Sequence, residues 1–442
     1  MSKRGRGAIT TAHLKTLLSR IGSGVSGTKP ELTGRFHSDL NVPKLQNGGS
    51  GSSSTSRILS VDMGIRNMAF CVCDVSVQPP SKALSSASPR VKLEVIAWEP
   101  ISVSDLARQE EEQASSTDPA VQLSSQLTQA AKESFRPSVL SRAAYALLKR
   151  KLLPYAPQTI LIEQQRYRTN ASSAIQEWTY HVNMLEGMIW AILETLRQEG
   201  AAASGRLPTA APAEAPSFPS VFPVSPARVA SFWMDNSETG RAILAEASAN
   251  GASVKRSSPR SRAKASKTKE EDVGAEAVAE EEEEEGTAED VARASKGEKK
   301  KRLSKTKIEK KVKIKLVEQW LLTNASRSAS ARPDCDVQLH FGTAGARGMR
   351  DVFLSKLARA AKRTGGGGSS STSSTRKKLA KDGDASEAPA AAAASAPPPI
   401  DPKKLDDLAD CLLQAAAWAQ WEGNRRALVG LEEQALREVA EL

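Results

Sequence analysis

Apolar residues recur along this chain in two rhythms, and the changes of rhythm mark its elements. In the segment AHLKTLLSRIG, Leu14, Leu17, Leu18 and Ile21 fall at helical spacing, and SGTKPELTGRF follows as a turn and a second short helix ending near residue 37. NGGSGSSSTSR (46–56) reads as a flexible linker. From Arg57 the pattern is that of strands. ILSVD (58–62) is an apolar run closed by an acid and turned by GIRN. MAFCVCDV (68–75) is apolar at both parities, as a strand buried on both faces is, and VKLEVIAWEPI (91–101) supplies a third. These three predict a meander. A helix is predicted over 138–153, from Val139, Ala143, Ala146, Leu147 and Leu153. TILIEQ (159–164) is another buried strand ending in an acid, and a long helix follows over about 173–198.

Beyond an Ala/Pro-rich stretch at 200–218, VFPVSPARVASFW (221–233) predicts a strand turning into a helix. Residues 235–305 are low-complexity, with six glutamates (Glu280–Glu285) facing basic clusters such as Lys299–Arg302. Such blocks cannot bury a core, and disorder is expected there. Helices are predicted again over 307–322, with a basic face, and over 350–363. A Gly/Ser/Ala/Pro linker runs to about 400, and KKLDDLADCLLQAAAWAQW (403–421) predicts a last helix with a charged helical extension to Leu442. The expected organisation is a basic N-terminal segment (1–45), a linker (46–56), and a core in pieces at 57–234, 306–363 and 401–442. A charged insertion (235–305) and a linker (364–400) interrupt it.

Composition narrows this picture. With 442 residues but only 39% hydrophobic and 4% aromatic content, the chain suits one core rather than two or three domains. That core is expected to be roughly 200–250 residues, enough to bury an apolar interior. A net charge of +11 and a pI near 9.4 favour a polyanionic partner, nucleic acid first. Four cysteines (Cys71, Cys73, Cys335, Cys411) make no disulfide scaffold at this length and read as buried thiols. The four histidines are scattered, so no Cys/His zinc site is supported. No run of 18 apolar residues exists to span a membrane. Residues 1–30 carry Lys3, Arg4, Arg6, Lys15, Arg20 and Lys29, with no acid before Glu31. That pattern is compatible with an organelle presequence, a DNA-binding arm or a nuclear signal.

Three acidic sites stand at the ends of apolar elements: Asp62, Glu163, and the trio Asp406, Asp407 and Asp410 at the start of the last helix. Residues three or four apart share a helix face, so Asp407 and Asp410, or Asp406 and Asp410, can point at one site. Carboxylates gathered at a core edge are costly to ionise together unless a cation neutralises them. A hard ion such as Mg²⁺ suits all-oxygen ligands, and two such ions stabilise both the attacking and leaving oxygens of a phosphodiester displacement. Each acid alone has a plainer reading: a strand-terminal Asp is usually a turn former, and acids in a first helical turn usually cap it. Glu163 is harder to dismiss, because an acid directly after a buried run needs a partner. Basic and amide groups flank the acids: Arg66 after the first strand, and Gln164, Gln165, Arg166, Tyr167 and Arg168 after Glu163. They can hold a phosphate beside the metal, with Tyr167 either stacking on an unpaired base or packing on the sheet. The lysines from Lys305 to Lys315, Lys310 and Lys311 among them, form either a duplex-tracking face or a solvated one.

The strings ILSVDMGIRNMAFCV (58–72), TILIEQQRYRT (159–169) and KKLDDLADCLLQAAAWAQW (403–421), in that order, resemble the fungal mitochondrial Holliday junction resolvases. These are distant relatives of the bacterial RuvC enzymes within the RNase H-like superfamily. The resemblance implies an α/β, RNase H-like fold: a mixed central sheet flanked by helices, here with long disordered insertions. It implies a metal-dependent endonuclease that cuts four-way DNA junctions by paired symmetric nicks. Asp62, Glu163, Asp407 and Asp410 would be catalytic ligands, with Asp406 the substitute for Asp407, for two Mg²⁺ or Mn²⁺ ions. The family string reads Lys-Lys-Asp-Asp, whereas Leu405 intervenes here, which puts the DNA-binding roles of Lys403 and Lys404 in doubt. Family and substrate together imply a homodimer, no small-molecule cofactor and mitochondrial residence, with the nucleus as the alternative. Residues 8–37 further resemble a degraded SAP helix–turn–helix module, a presequence plus linker being the other reading. Three other readings compete. An actin/sugar-kinase-type ATPase would use Asp62-Met63-Gly64 and FGTAG (341–345) as phosphate loops. The others are an RNA–DNA hybrid cutter or transposase, and a non-catalytic DNA scaffold.

Overall fold

The structure is a computed structural model and describes residues 9–45, 55–78, 90–109, 135–165, 177–203, 218–236, 238–249, 305–325, 337–365 and 405–441. Helices α1 (Thr11–Arg20) and α2 (Lys29–Asn41) precede strands β1 (Ser56–Asp62), β2 (Met68–Gln78) and β3 (Arg90–Ile101). Then come α3 (Pro137–Ala146), β4 (Thr159–Glu163), α4 (Glu177–Ala203), β5 (Ser220–Val224), α5 (Pro226–Asn236) and α6 (Glu238–Ala249). The chain continues through α7 (Lys305–Ala325), β6 (Val337–Phe341), α8 (Ala344–Gly365), α9 (Leu405–Leu428) and α10 (Glu433–Glu441). The described strands form one six-stranded sheet in the order β5-β4-β1-β2-β3-β6. β1, β2 and β3 pair antiparallel as the expected meander, while β4 runs parallel to β1, β5 to β4 and β6 to β3.

Strand side chains alternate between faces, and this alternation sorts the core into two layers. Ile58, Cys71, Cys73 and Leu161 face one way, onto α9 with α5, α7 and α8. Leu59, Val61, Phe70, Val72, Ile160 and Ile162 face the other way, onto α3 and α4. Being buried on both sides is why β1, β2 and β4 are continuously apolar. The centre of the first layer is α9, on which Ala409, Ala415, Ala416, Ala417 and Ala419 are buried, letting the helix lie close on β1–β3. Three side chains fix its pose: the indoles of Trp98 and Trp233 donate to the Leu408 and Leu413 carbonyls (2.9 and 3.0 Å), and Gln414 reaches the Val61 and Leu161 carbonyls (both 3.4 Å). A smaller cluster joins α1 and α2 to the chain's other end, with Leu14, Leu17, Leu18, Leu32 and Phe36 packed on Leu428, Leu436 and Val439.

Several expectations need correcting. The helix expected over 138–153 is regular only to Ala146; it widens over Leu147–Leu152 and tightens over Leu153–Tyr155, where Pro154 has no N–H to donate. The disorder expected from 235 fails for the first residues, because α6 runs to Ala249 and buries Ile243 against Val312 of α7. Residues 250–304 lie outside the described residues, as do 46–54 and 366–404 of the two linkers. The 350–363 helix starts earlier, at Ala344, and β6 was not anticipated at all. The terminal helix is described from Leu405, its expected start at 403 lying outside the described residues, and it does not extend unbroken to Leu442. It stops at Leu428, before Gly430 with φ 81°, and α10 follows. Cys71, Cys73 and Cys411 are buried free thiols, and no helix among the described residues is long and apolar enough to cross a membrane.

Candidate active site

The parity that sorts the core also aims the acids. Asp62 shares the face of Ile58 and Glu163 that of Leu161, so both lie on the α9 side of the sheet. They close neighbouring parallel strands in register, with Val61 opposite Ile162. The first turns of α9 bring Asp406, Asp407 and Asp410 to the same place. Asp62, Asp407 and Asp410 each respond to burial and to the acids around them. Burial, then Glu163, Asp410 and Asp407, push the Asp62 carboxyl well above the usual range. Asp407 is raised to about 8, first by burial and then by Asp406 and Asp410. Asp410 is raised to about 6, with burial opposed by the nearby Lys313 ammonium. Only Asp62 is nearly sealed from solvent, at 7% exposure.

Neighbouring groups hold these carboxylates in place. The Met63 N–H (3.2 Å) and the Gln165 side-chain amide (3.1 Å) both donate to Glu163 Oε2. The Gln165 N–H donates to Glu186 of α4 (3.2 Å), whose own carboxyl is raised by burial. Lys313 of α7 lies 3.0 and 3.1 Å from the two Asp410 oxygens, and Lys310 lies 3.1 Å from Asp406. Among the described residues, no three acidic, His or Cys side chains close on one point as a bound ion would require. The donors nevertheless suit a hard cation. Every candidate is a carboxylate oxygen, and proton affinity raised by burial and then by neighbouring acids marks a cluster short of positive charge.

The remaining expected site residues divide. Gln165 joins the acids, Lys310 pairs with Asp406, and Arg66 stacks on Trp178 at 4.7 Å. Gln164 instead continues the sheet edge, its N–H donating to the Val224 carbonyl (2.9 Å), and Lys311 is exposed. Arg166, Tyr167, Arg168, Lys403 and Lys404 lie outside the described residues. Sequence reasoning missed Glu186 altogether and saw Lys313 only as one of a row of lysines. It also set FGTAG up as a rival phosphate loop. That segment turns β6 into α8 at the sheet edge farthest from β4 and β5, and Thr343 caps the helix there, accepting from the Ala346 N–H (3.1 Å) while donating to the Ile96 carbonyl (2.7 Å).

A family model described as mitochondrial resolvase Ydc2/RNA splicing MRS1 matches residues 58–428, which takes in every described acid above. The chain belongs to that family. Among curated relatives of the Ydc2/MRS1 family, the mitochondrial cruciform cutting endonuclease 1 of Schizosaccharomyces pombe is 28% identical over 184 residues, 42% of this chain. That match spans only 55% of the relative's own length. A crystal structure of the yeast mitochondrial Holliday junction resolvase Ydc2 aligns at a TM-score of 0.40 and 16% identity. The alignment covers 95% of this chain and 96% of that one.

Proposed function

We propose that this member of the Ydc2/MRS1 family is a divalent-metal-dependent endodeoxyribonuclease that resolves four-way DNA junctions in mitochondria, acting as a homodimer on an RNase H-like fold. The observation that carries the reading is the meeting of five carboxylates from β1, β4 and α9 on one face of the sheet. An antiparallel β1–β2–β3 followed by parallel β4 and β5, with acids closing β1 and β4, supports the RNase H-like assignment. The mitochondrial relative and the basic N-terminus support the location, and the two-fold symmetry of a junction favours a two-fold pair of sites.

In this reading Asp62, Glu163, Asp407 and Asp410 hold the metal, with Asp406 beside them, and Mg²⁺ is the ion their oxygens fit best. Two such ions, once bound, supply a nucleophilic water and charge for the departing 3′ oxygen. The protein's own groups do the rest. Gln165 orients Glu163, and Trp98 and Gln414 fix α9 so that its acids meet the strand acids. Lys310 and Lys313 bring positive charge to where phosphate arrives. RNA splicing, the other activity in the family's description, requires an RNA-binding face but no cluster of repelling carboxylates.

The test offers the protein a synthetic four-way junction, a linear duplex and an RNA–DNA hybrid, with and without Mg²⁺. Paired nicks in the junction alone are expected, and only with metal. Asp407→Asn and Glu163→Gln should each lower the rate by more than the roughly 10–100-fold that loss of an outer-shell partner costs. Equal cutting of all three substrates would sink the junction assignment. Undiminished cutting by both variants would sink the metal-site assignment.

A further inference from the structure

Aromatic side chains gather at the start of α4, beside the loop that follows Asp62. Trp178 and Tyr180 are 43% and 54% exposed, well beyond what a core aromatic shows. Phe135 meets Trp178 edge-on at 5.2 Å and His181 at 4.9 Å, and Tyr180 meets His181 at 5.7 Å. The Arg66 guanidinium lies 4.7 Å from the Trp178 ring centroid. Single exposed aromatics are ordinary surface; four rings in contact with a cation stacked on one of them form a surface for something flat.

The cluster is tied to the acids from two directions. Arg66 is four residues beyond Asp62, in the turn from β1 to β2. On α4, Glu186 lies eight residues beyond Trp178, about 12 Å along the axis. It accepts from the Gln165 N–H, and the Gln165 side chain in turn holds Glu163. A group resting on Trp178 is therefore in fixed relation to Asp62 and Glu163.

Position decides between occupants. Trp, Tyr and Arg also suit a protein interface, but this cluster is tied to Asp62 and Glu163, where the proposed substrate is a nucleic acid. A nucleotide brings both a π face for the indole and a phosphate for the guanidinium. In a continuous duplex the base faces are taken up by their neighbours; at a strand-exchange point stacking is interrupted. We infer that Trp178, backed by Arg66 and flanked by Tyr180, is a stacking platform for a base unstacked at the crossover. It would thereby select which phosphate meets the carboxylates. This rests on the junction reading above and adds to it how the branch point is aligned.

The experiment uses the full-length protein and junctions carrying 2-aminopurine next to the branch point. Ca²⁺ replaces Mg²⁺ for binding, and Mg²⁺ is used for cleavage. Base–aromatic stacking of 1–3 kcal/mol corresponds to roughly 5–150-fold. Trp178→Ala should therefore slow junction cleavage at least about 5-fold and scatter the cut positions. It should also abolish the 2-aminopurine signal that the wild type gives on binding. Trp178→Phe should restore most of all three, which a folding defect at this exposed position would not. If the wild type cuts junctions and Trp178→Ala matches it in rate, cut position and fluorescence, the platform is wrong while the junction reading stands. A Trp178→Ala protein that turns monomeric yet keeps the fluorescence change would make the cluster a subunit interface and overturn the inference. A wild type that cuts no junction overturns the underlying reading, and the platform with it.

Discussion

Single residues set the electrostatic state of the carboxylate cluster. Five acids meet with Lys313 as their most buried cation, and Asp410, Asp62 and Glu163 raise its proton affinity despite the lowering effect of burial. Lys313→Met would leave the cluster short of that charge. The metal-free protein should lose about 1–3 kcal/mol of stability, the cost of a buried charged group without its partner. The more negative site should then bind Ca²⁺ or Mg²⁺ more tightly, by up to about tenfold for each 1.4 kcal/mol of lost competition. A calcium titration followed by calorimetry reads this directly, and an unchanged affinity would show that Lys313 does not compete for Asp410. How much of this was legible varied by residue. Asp62 and Glu163 could be read from sequence because each ends an apolar run, and the two-residue strand period then fixes a face. Lys313 could not, since its partner lies 97 positions away and five similar lysines share its segment.

Elements show the same division. The meander, β4 and the long α4 were legible because burial writes a period: continuous apolar runs in β1, β2 and β4, alternation in β3 and helical spacing in α4. β6 was hidden: VQLHF is short and carries Gln338 and His340, an edge strand covered on one face only. The end of α9 was misread because the break at Gly430 was passed over, and its last turns were misread because Glu422 and Arg425 look like surface residues. Both are in fact buried, and Arg425 and Arg426 bind the Glu422 carboxylate at 2.7 Å while the Lys44 N–H donates to it at 3.0 Å. Burial pushes the Glu422 carboxyl up, but Arg425, the Lys44 N–H and Arg426 outweigh it, so its proton affinity is lowered. The folded state therefore holds fewer protons here than the unfolded chain. This contribution is present above the ordinary glutamate value of about 4.3 and is lost as the pH falls below it. Melting curves between pH 6 and pH 3 should show the wild type losing stability more steeply than Glu422→Gln, which begins from a lower plateau. Parallel slopes would mean that Glu422 titrates alike in both states.

At the scale of the whole molecule, the core is assembled from segments widely separated in sequence. The charged stretch was expected to stand apart from it, yet its first residues form α6, which packs on α7 and places Glu246 3.3 Å from Lys315. The boundary was misjudged because ILAEA offers too few apolar residues to announce a buried face. Replacing residues 250–304 with about 20 Gly/Ser residues should leave the melting midpoint within a few degrees and junction cleavage within about twofold, since the length of a Gly/Ser connection changes closure entropy only slowly. A protein that folds but no longer cuts would falsify the view of this stretch as dispensable for chemistry.

The central place of α9 has a consequence for how the protein is made. Its helix covers the apolar face of β1–β3, yet it is translated about 300 residues after β3 ends. At synthesis rates of roughly 5–20 residues per second, that face waits about 15–60 s for its cover. A nascent chain in that interval exposes Cys71, Cys73, Val75 and Leu93 to its surroundings, so chaperone binding should peak before Leu405 emerges. For the same reason a stop codon ahead of α9 removes Asp407 and Asp410 together with the centre of one core layer. Such an allele would yield a chain cleared by proteolysis rather than a stable inactive protein.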